Sequence, residues 1–127
     1  MTPPDFWQAL GLTILETDAD GAVVEMEVPD WLMSPFGAVH GGALAMFFDT
    51  ALAVAVVRGL DGPEDRVATH QLTVSYAAFT GARRLRCRAR IVRLARTVAI
   101  AEGEITDPAG TLVAKALATF GVRRRDP

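Results

Sequence analysis

From Gly41 to Arg58 apolar residues fall on every face of a helical wheel, broken by Asp49, Thr50 and Arg58. A helix apolar nearly all round cannot lie on a surface, so the pattern predicts a core helix from about His40 to Arg58. Gly59 and the turn residues Asp61-Gly62-Pro63 end it. Ahead of it, Phe6, Trp7 and Leu10 suit a short amphipathic helix starting near Asp5 and stopping at Gly11. Leu12–Asp18 and Ala22–Val28 read as a hairpin about Asp18-Ala19-Asp20-Gly21. Residues 29–36, with two prolines, read as irregular loop.

After the helix the period changes to two. Arg66–Thr80 alternates Leu72, Val74 and Tyr76 with Gln71, Thr73 and Ser75. In that alternation Thr69 joins the polar side, and His70 the apolar side, as a core or interface histidine. Arg84–Arg90 alternates strictly, with arginines on one face and Leu85, Cys87 and Ala89 on the other. Further strands run over Val98–Thr106 and Thr111–Val122, separated by the turn Asp107-Pro108-Ala109-Gly110. The expected domain is α+β, a curved antiparallel β-sheet wrapped around one long central α-helix, with a meander after the helix. A single sheet of this kind leaves an edge or face bare, which favours a dimer.

The 127 residues suffice for one domain, 1–127, with a proper core. Half are hydrophobic, and 13 basic against 15 acidic residues give a net charge of −2, which argues against nucleic acid as the main partner. Cys87 is the only cysteine, so no internal disulfide forms; with no signal-peptide pattern over residues 1–5, the expected compartment is the cytoplasm. Asp49 in the middle of the apolar segment argues against a membrane span. No metal-ligand cluster stands out.

Chemistry concentrates at the helix. Gly41 and Gly42 give it a start with uncluttered N–H groups, suited to developing negative charge. Asp49 is a carboxylate in an apolar setting, a candidate base or nucleophile. The same Asp49 could instead be a satisfied structural carboxylate, and His40 could cap the helix or bond the loop. A hairpin turning near Ala95-Arg96 would set Arg88 across from Glu104 and Arg90 across from Glu102. The arginine stripe therefore reads as a solvated or inter-dimer face, and Cys87 as a small core residue.

Gly37-Ala38-Val39-His40-Gly41-Gly42, followed by Asp49-Thr50-Ala51 seven residues after the second glycine, resembles the motif of hotdog-fold thioesterases. The likeness is to the PaaI-type acyl-CoA thioesterases of the hydroxybenzoyl-CoA thioesterase group. Thr73-Val74-Ser75-Tyr76 and Leu112-Val113-Ala114-Lys115-Ala116 also fit, and the element order matches along essentially the whole chain. The resemblance implies a hotdog fold and hydrolysis of a small or medium acyl-CoA, aromatic ones included. It implies no cofactor beyond the coenzyme A carried by the substrate. The Gly41 N–H would polarise the thioester carbonyl, and Asp49 would serve as nucleophile or general base. His40 would shape the loop or touch substrate, Gly42 would line the site, and Thr69 would help to place water. The chain departs from the family at Ser34, where many relatives carry Asn supporting the oxyanion site; Ser34 would line the substrate site in its place. Arg83, Arg84, Arg96 and the Arg123–Arg125 tail are the cations free to meet coenzyme A phosphates.

Spacing then bears on assembly. Gly41 and Asp49 are eight residues apart, about 12 Å along a helix, whereas a base must come within about 3.2 Å of the proton it takes, directly or through one water. If the chain is a thioesterase, Gly41 of one subunit must face Asp49 of another. The expectation is a homodimer with composite sites, further paired into a homotetramer. A non-catalytic acyl-CoA-binding domain is the alternative. An enoyl-CoA hydratase is another, disfavoured because no histidine follows His40 until His70.

Overall fold

The computed structural model describes residues 5–62 and 64–124; Pro63, the first four residues and residues 125–127, with Arg125 of the basic tail among them, lie outside that range. Helix α1 (Phe6–Leu10) is capped by the Asp5 carboxylate, which accepts from the Trp7 N–H, and ends at Gly11 in the left-handed conformation (φ 69°). Strands β1 (Leu12–Thr17) and β2 (Gly21–Glu27) form the first hairpin. A turn of 3-10 helix (Asp30–Leu32) interrupts the loop that leads to α2 (Gly41–Arg58). Strands β3 (Arg66–Tyr76), β4 (Arg84–Leu94), β5 (Val98–Thr106) and β6 (Leu112–Arg123) complete one six-stranded antiparallel sheet.

The order across the sheet is β1-β2-β4-β5-β6-β3. The expected meander therefore holds only for β4 to β6. Helix α2 carries the chain across the sheet, so β3 enters at the far edge beside β6 rather than beside β4. Its hydrogen-bonding edge away from β6 pairs with no described strand.

Packing explains the position of α2. Ala43, Leu44, Phe47, Phe48, Ala51, Leu52, Ala55 and Val56 repeat at i, i+1, i+4 and bury one face of the helix. Beneath them the sheet offers a floor of small residues, with Ala101 paired to Ala118 and Gly103 to Ala116. A Cβ on Gly103 would come within 3.0 Å of Leu52 and 3.2 Å of Cys87 Sγ. Leu85, Cys87 and Ala89 join that floor, as the alternation required, and burial pushes the Cys87 thiol far above the ordinary thiol range. Opposite, Arg88 pairs in register with Glu104 and Arg90 with Glu102, and Arg90 and Glu102 form an ion pair.

The sheet covers only one face of α2. Met46 (41% exposed) and Val57 (45%) sit on the other, with Gly42 and the half-buried Asp49. The helix is long and apolar enough to cross a membrane by composition alone, but its packing against five strands makes it a core helix. One long helix cradled by a curved antiparallel sheet is the hotdog arrangement.

Candidate active site

The helix start is built by the loop before it. The Met33–Val39 bridge and the Ser34 N–H to Ala38 carbonyl bond (2.7 Å) close a small excursion with Phe36 at its tip. Ser34 Oγ accepts from the N–H groups of Phe36 (3.3 Å) and Ala38 (3.4 Å). Ser34, expected to line the substrate site, thus has its hydroxyl engaged within its own loop. The Val39 N–H donates to the Thr80 carbonyl (2.8 Å), tying this loop to the segment after β3. From the two joined loops Phe36 and Phe79 project almost fully into solvent, 94% and 98% exposed.

His40 caps α2: its Nδ1 accepts from the Gly42 N–H at 3.0 Å, which places the proton of the neutral ring on Nε2. The His40 carbonyl accepts from the N–H groups of Ala43 (2.9 Å) and Leu44 (3.3 Å). Of the first four helical amides, three are therefore taken, Gly42 included. The Gly41 N–H alone has no acceptor among the described residues. It is an unpartnered donor at the positive end of an 18-residue helix.

Two turns on, Asp49 Oδ1 accepts from Thr69 Oγ1 at 2.6 Å. This contact corrects the simple alternation of β3. Thr69 pairs with Phe120 but Gln71 pairs with Thr119, so His70 is an extra residue in a β-bulge. One extra residue inverts the phase of every position before it. Thr69 thereby joins Leu72, Val74 and Tyr76 on the helix side. His70 is turned to the opposite face and exposed instead of lodged in the core of the chain. Its ring lies against Gly121, where a Cβ would meet it at 2.5 Å.

A residue not singled out for the site stands beside Gly41. Tyr76, the only tyrosine of the chain, donates from its hydroxyl to the Gly41 carbonyl at 2.7 Å. A Cβ on Gly41 would touch its ring at 3.4–3.5 Å. The sequence signal was an aromatic at the end of the apolar phase of β3. Only the antiparallel run of β3 past α2 discloses that this end meets the helix start.

The arginines divide. Arg83, expected to be free, donates from Nε to the Val28 carbonyl (2.9 Å) and pairs with Asp30 (2.5 Å). Arg84 lies 3.8 Å from Glu25, whose other oxygen holds Arg86 at 3.0 Å. Arg96 sits exposed in the β4–β5 turn, at the end of the sheet that packs on the C-terminus of α2, where Gly59 approaches Ile91 and Leu94. Arg124 donates to the Arg96 carbonyl. Among the described residues no cluster of metal-ligating side chains occurs.

Comparison with known proteins gives a consistent picture. The model of the thioesterase superfamily matches residues 36–114, from the tip of the loop before α2 into β6. The 1,4-dihydroxy-2-naphthoyl-CoA hydrolase of Listeria monocytogenes is 22% identical over 118 residues, covering 93% of this chain and 95% of its own. Among solved structures, AziG of S. sahachiroi superposes with a TM-score of 0.88 at 27% identity, over 96% of this chain and 98% of that one. A thioesterase of Haemophilus influenzae gives 0.88 at 20% identity, over 96% and 85%.

Proposed function

The chain belongs to the thioesterase superfamily and is a thioester hydrolase, and from that premise we propose that it hydrolyses a small or medium acyl-CoA, aromatic acyl groups included, in sites shared between two subunits. The naphthoyl-CoA hydrolase relative, a coenzyme A thioesterase matched along nearly its full length, supports the thiol carrier and the inclusion of aromatic acyl groups.

The observation that carries the reading is the pair of functions on one helix that keep free hydrogen-bonding capacity among the described residues. At its start stands an unpartnered amide, Gly41; two turns later stands a solvent-accessible carboxylate, Asp49, held by Thr69. In the proposed reaction the thioester oxygen accepts from Gly41 N–H, which stabilises the charge that builds as the carbon becomes tetrahedral, an effect of about 3–4 kcal/mol for one such donor. Thr69 occupies Oδ1 of Asp49 and leaves Oδ2 to take a proton from water. Water adds to the carbon, the C–S bond breaks, and the thiolate leaves with a proton, giving the free acid and the thiol. Direct attack by Asp49 would pass through a mixed anhydride to the same products.

With Gly41 and Asp49 about 12 Å apart along α2, the two groups meet at one carbonyl only between antiparallel helices of two subunits. Two features of the single chain support such a dimer. The free edge of β3 is eleven residues long, and an edge of that length left open invites pairing. The uncovered face of α2 carries Met46 and Val57 around Asp49.

Thiol release from a panel of acyl-CoAs, with wild type and Asp49→Asn, tests the proposal. Turnover on at least one acyl chain, lost in the variant by about two orders of magnitude or more, is the expected result. Undiminished turnover in Asp49→Asn would remove Asp49 from the mechanism. Wild-type binding without turnover on every chain would make the protein a non-catalytic acyl-CoA-binding domain.

A further inference from the structure

Two successive glycines are a poor foundation for an aimed donor, because each populates backbone conformations closed to other residues. The peptide unit joining Gly41 and Gly42 is nevertheless gripped at both ends. Its carbonyl accepts from the Tyr76 hydroxyl (2.7 Å) and its N–H donates to His40 Nδ1 (3.0 Å). On the other side of Gly41, the His40 N–H donates to the Leu32 carbonyl (2.9 Å) and the His40 carbonyl takes two helical amides. Rotation about both backbone bonds of Gly41 is thus restrained from outside the glycine itself. On the helix side, a restraint beyond the helix's own ladder comes from residue 76, thirty-five positions along the chain. The Tyr76 ring also lies within 3.4–3.5 Å of where a Cβ at 41 would stand, an ordinary packing contact.

We propose that Tyr76 is a positioning residue: with His40 it clamps the Gly41–Gly42 peptide, limits rotation about Gly41, and so keeps the adjoining His40–Gly41 peptide, which carries the Gly41 N–H, aimed at the thioester oxygen. The inference rests on Gly41 being the oxyanion donor. A donor that is aimed before the charge develops acts on the transition state more than on the bound ester, because hydrogen bonds weaken steeply as they bend. Loss of the clamp therefore lowers kcat and leaves KM nearly unchanged. Tyr76 touches no reacting atom in this scheme.

The test compares wild type with Tyr76→Phe, which keeps the ring and removes the hydroxyl, and Tyr76→Leu, which removes the ring. Two measurements are made on the purified full-length protein: steady-state kinetics on the acyl-CoA the wild type turns over best, and amide hydrogen exchange at Gly41 and Gly42. Tyr76→Phe is expected to lower kcat about three- to tenfold, as the loss of one neutral hydrogen bond implies. KM should stay within about twofold, and exchange at Gly42 should quicken several-fold. Tyr76→Leu should lower kcat further. An unchanged kcat in a turning-over Tyr76→Phe enzyme overturns the proposal, as does a rise in KM with kcat intact, which would make Tyr76 a substrate contact. Unchanged Gly42 exchange overturns the clamp regardless of activity. Should the wild type hydrolyse no thioester, the reading of Gly41 as oxyanion donor falls, and accelerated exchange would leave the clamp as a structural fact only.

Discussion

Mixing two inactive variants separates shared sites from sites within one chain. Gly41→Val sets a Cβ 3.4 Å from Tyr76 Cζ and two further methyl groups beside the one amide of the helix start without an acceptor among the described residues. The expected loss is that of an oxyanion donor, about a hundredfold to a thousandfold. Asp49→Ala removes the carboxylate held by Thr69 and should cost about a hundredfold or more. Each variant alone therefore retains about 1% of wild-type turnover or less.

Equal amounts, unfolded together and refolded, give heterodimers as about half of all dimers if the association is isologous and unbiased. In a heterodimer one composite site carries both lesions. The other combines the intact Gly41 of the Asp49→Ala chain with the intact Asp49 of the Gly41→Val chain. Half the dimers with one working site each should restore about a quarter of wild-type activity per chain, far above either parent. The assay is thiol release after refolding, with dimer formation followed by gel filtration and folding by circular dichroism. Activity at the level of the separate parents, from a mixture shown to contain folded heterodimers, would refute composite sites. The 12 Å separation would then have to be bridged within one subunit.

Three further outcomes are expected. Thr69→Val removes the 2.6 Å bond to Asp49 at nearly constant volume, so kcat should fall about tenfold while Thr69→Ser stays near wild type, as a hydrogen bond to a charged group implies; equal kcat in Thr69→Val and wild type would show the bond to be incidental. Ser34→Ala frees two loop amides and should lower unfolding free energy by about 0.5–1.5 kcal/mol in urea titration, with KM unchanged; a raised KM at unchanged stability would return Ser34 to the substrate site. Burial holds the Cys87 thiol protonated above its ordinary value of 9.0. Above that pH the unfolded chain releases a proton that the folded chain keeps, so stability falls as pH rises, by about 1.4 kcal/mol per pH unit from this group. Urea titrations at pH 8.5 and 10 should show that loss in wild type and a smaller one in Cys87→Ala; identical losses would exclude the thiol as their source.

Most of the architecture was legible because it follows from local rules. The bounds of α2 were written by His40 as cap and Gly59 as stop, and the strict alternation of Arg84–Arg90 assigned its two faces. The Arg88–Glu104 and Arg90–Glu102 registers followed from a short turn. The neighbour of β3 was not legible, since strand order depends on the path α2 takes across the sheet.

The bulge at His70 was hidden for a different reason. Alternation arguments assume an unbroken ladder, and a single inserted residue looks like any other in sequence while it reverses the side on which Thr69 stands. That reversal decides whether a hydroxyl reaches Asp49. Tyr76 follows the same logic at the other end of the strand. Glycines at 41 and 42 leave room for a substrate, but residues without side chains cannot hold themselves still, so their restraint has to come from elsewhere in the fold. The groups that would perform the chemistry are therefore readable along one helix. The groups that would aim them are distributed over β3, whose placement only the tertiary structure supplies.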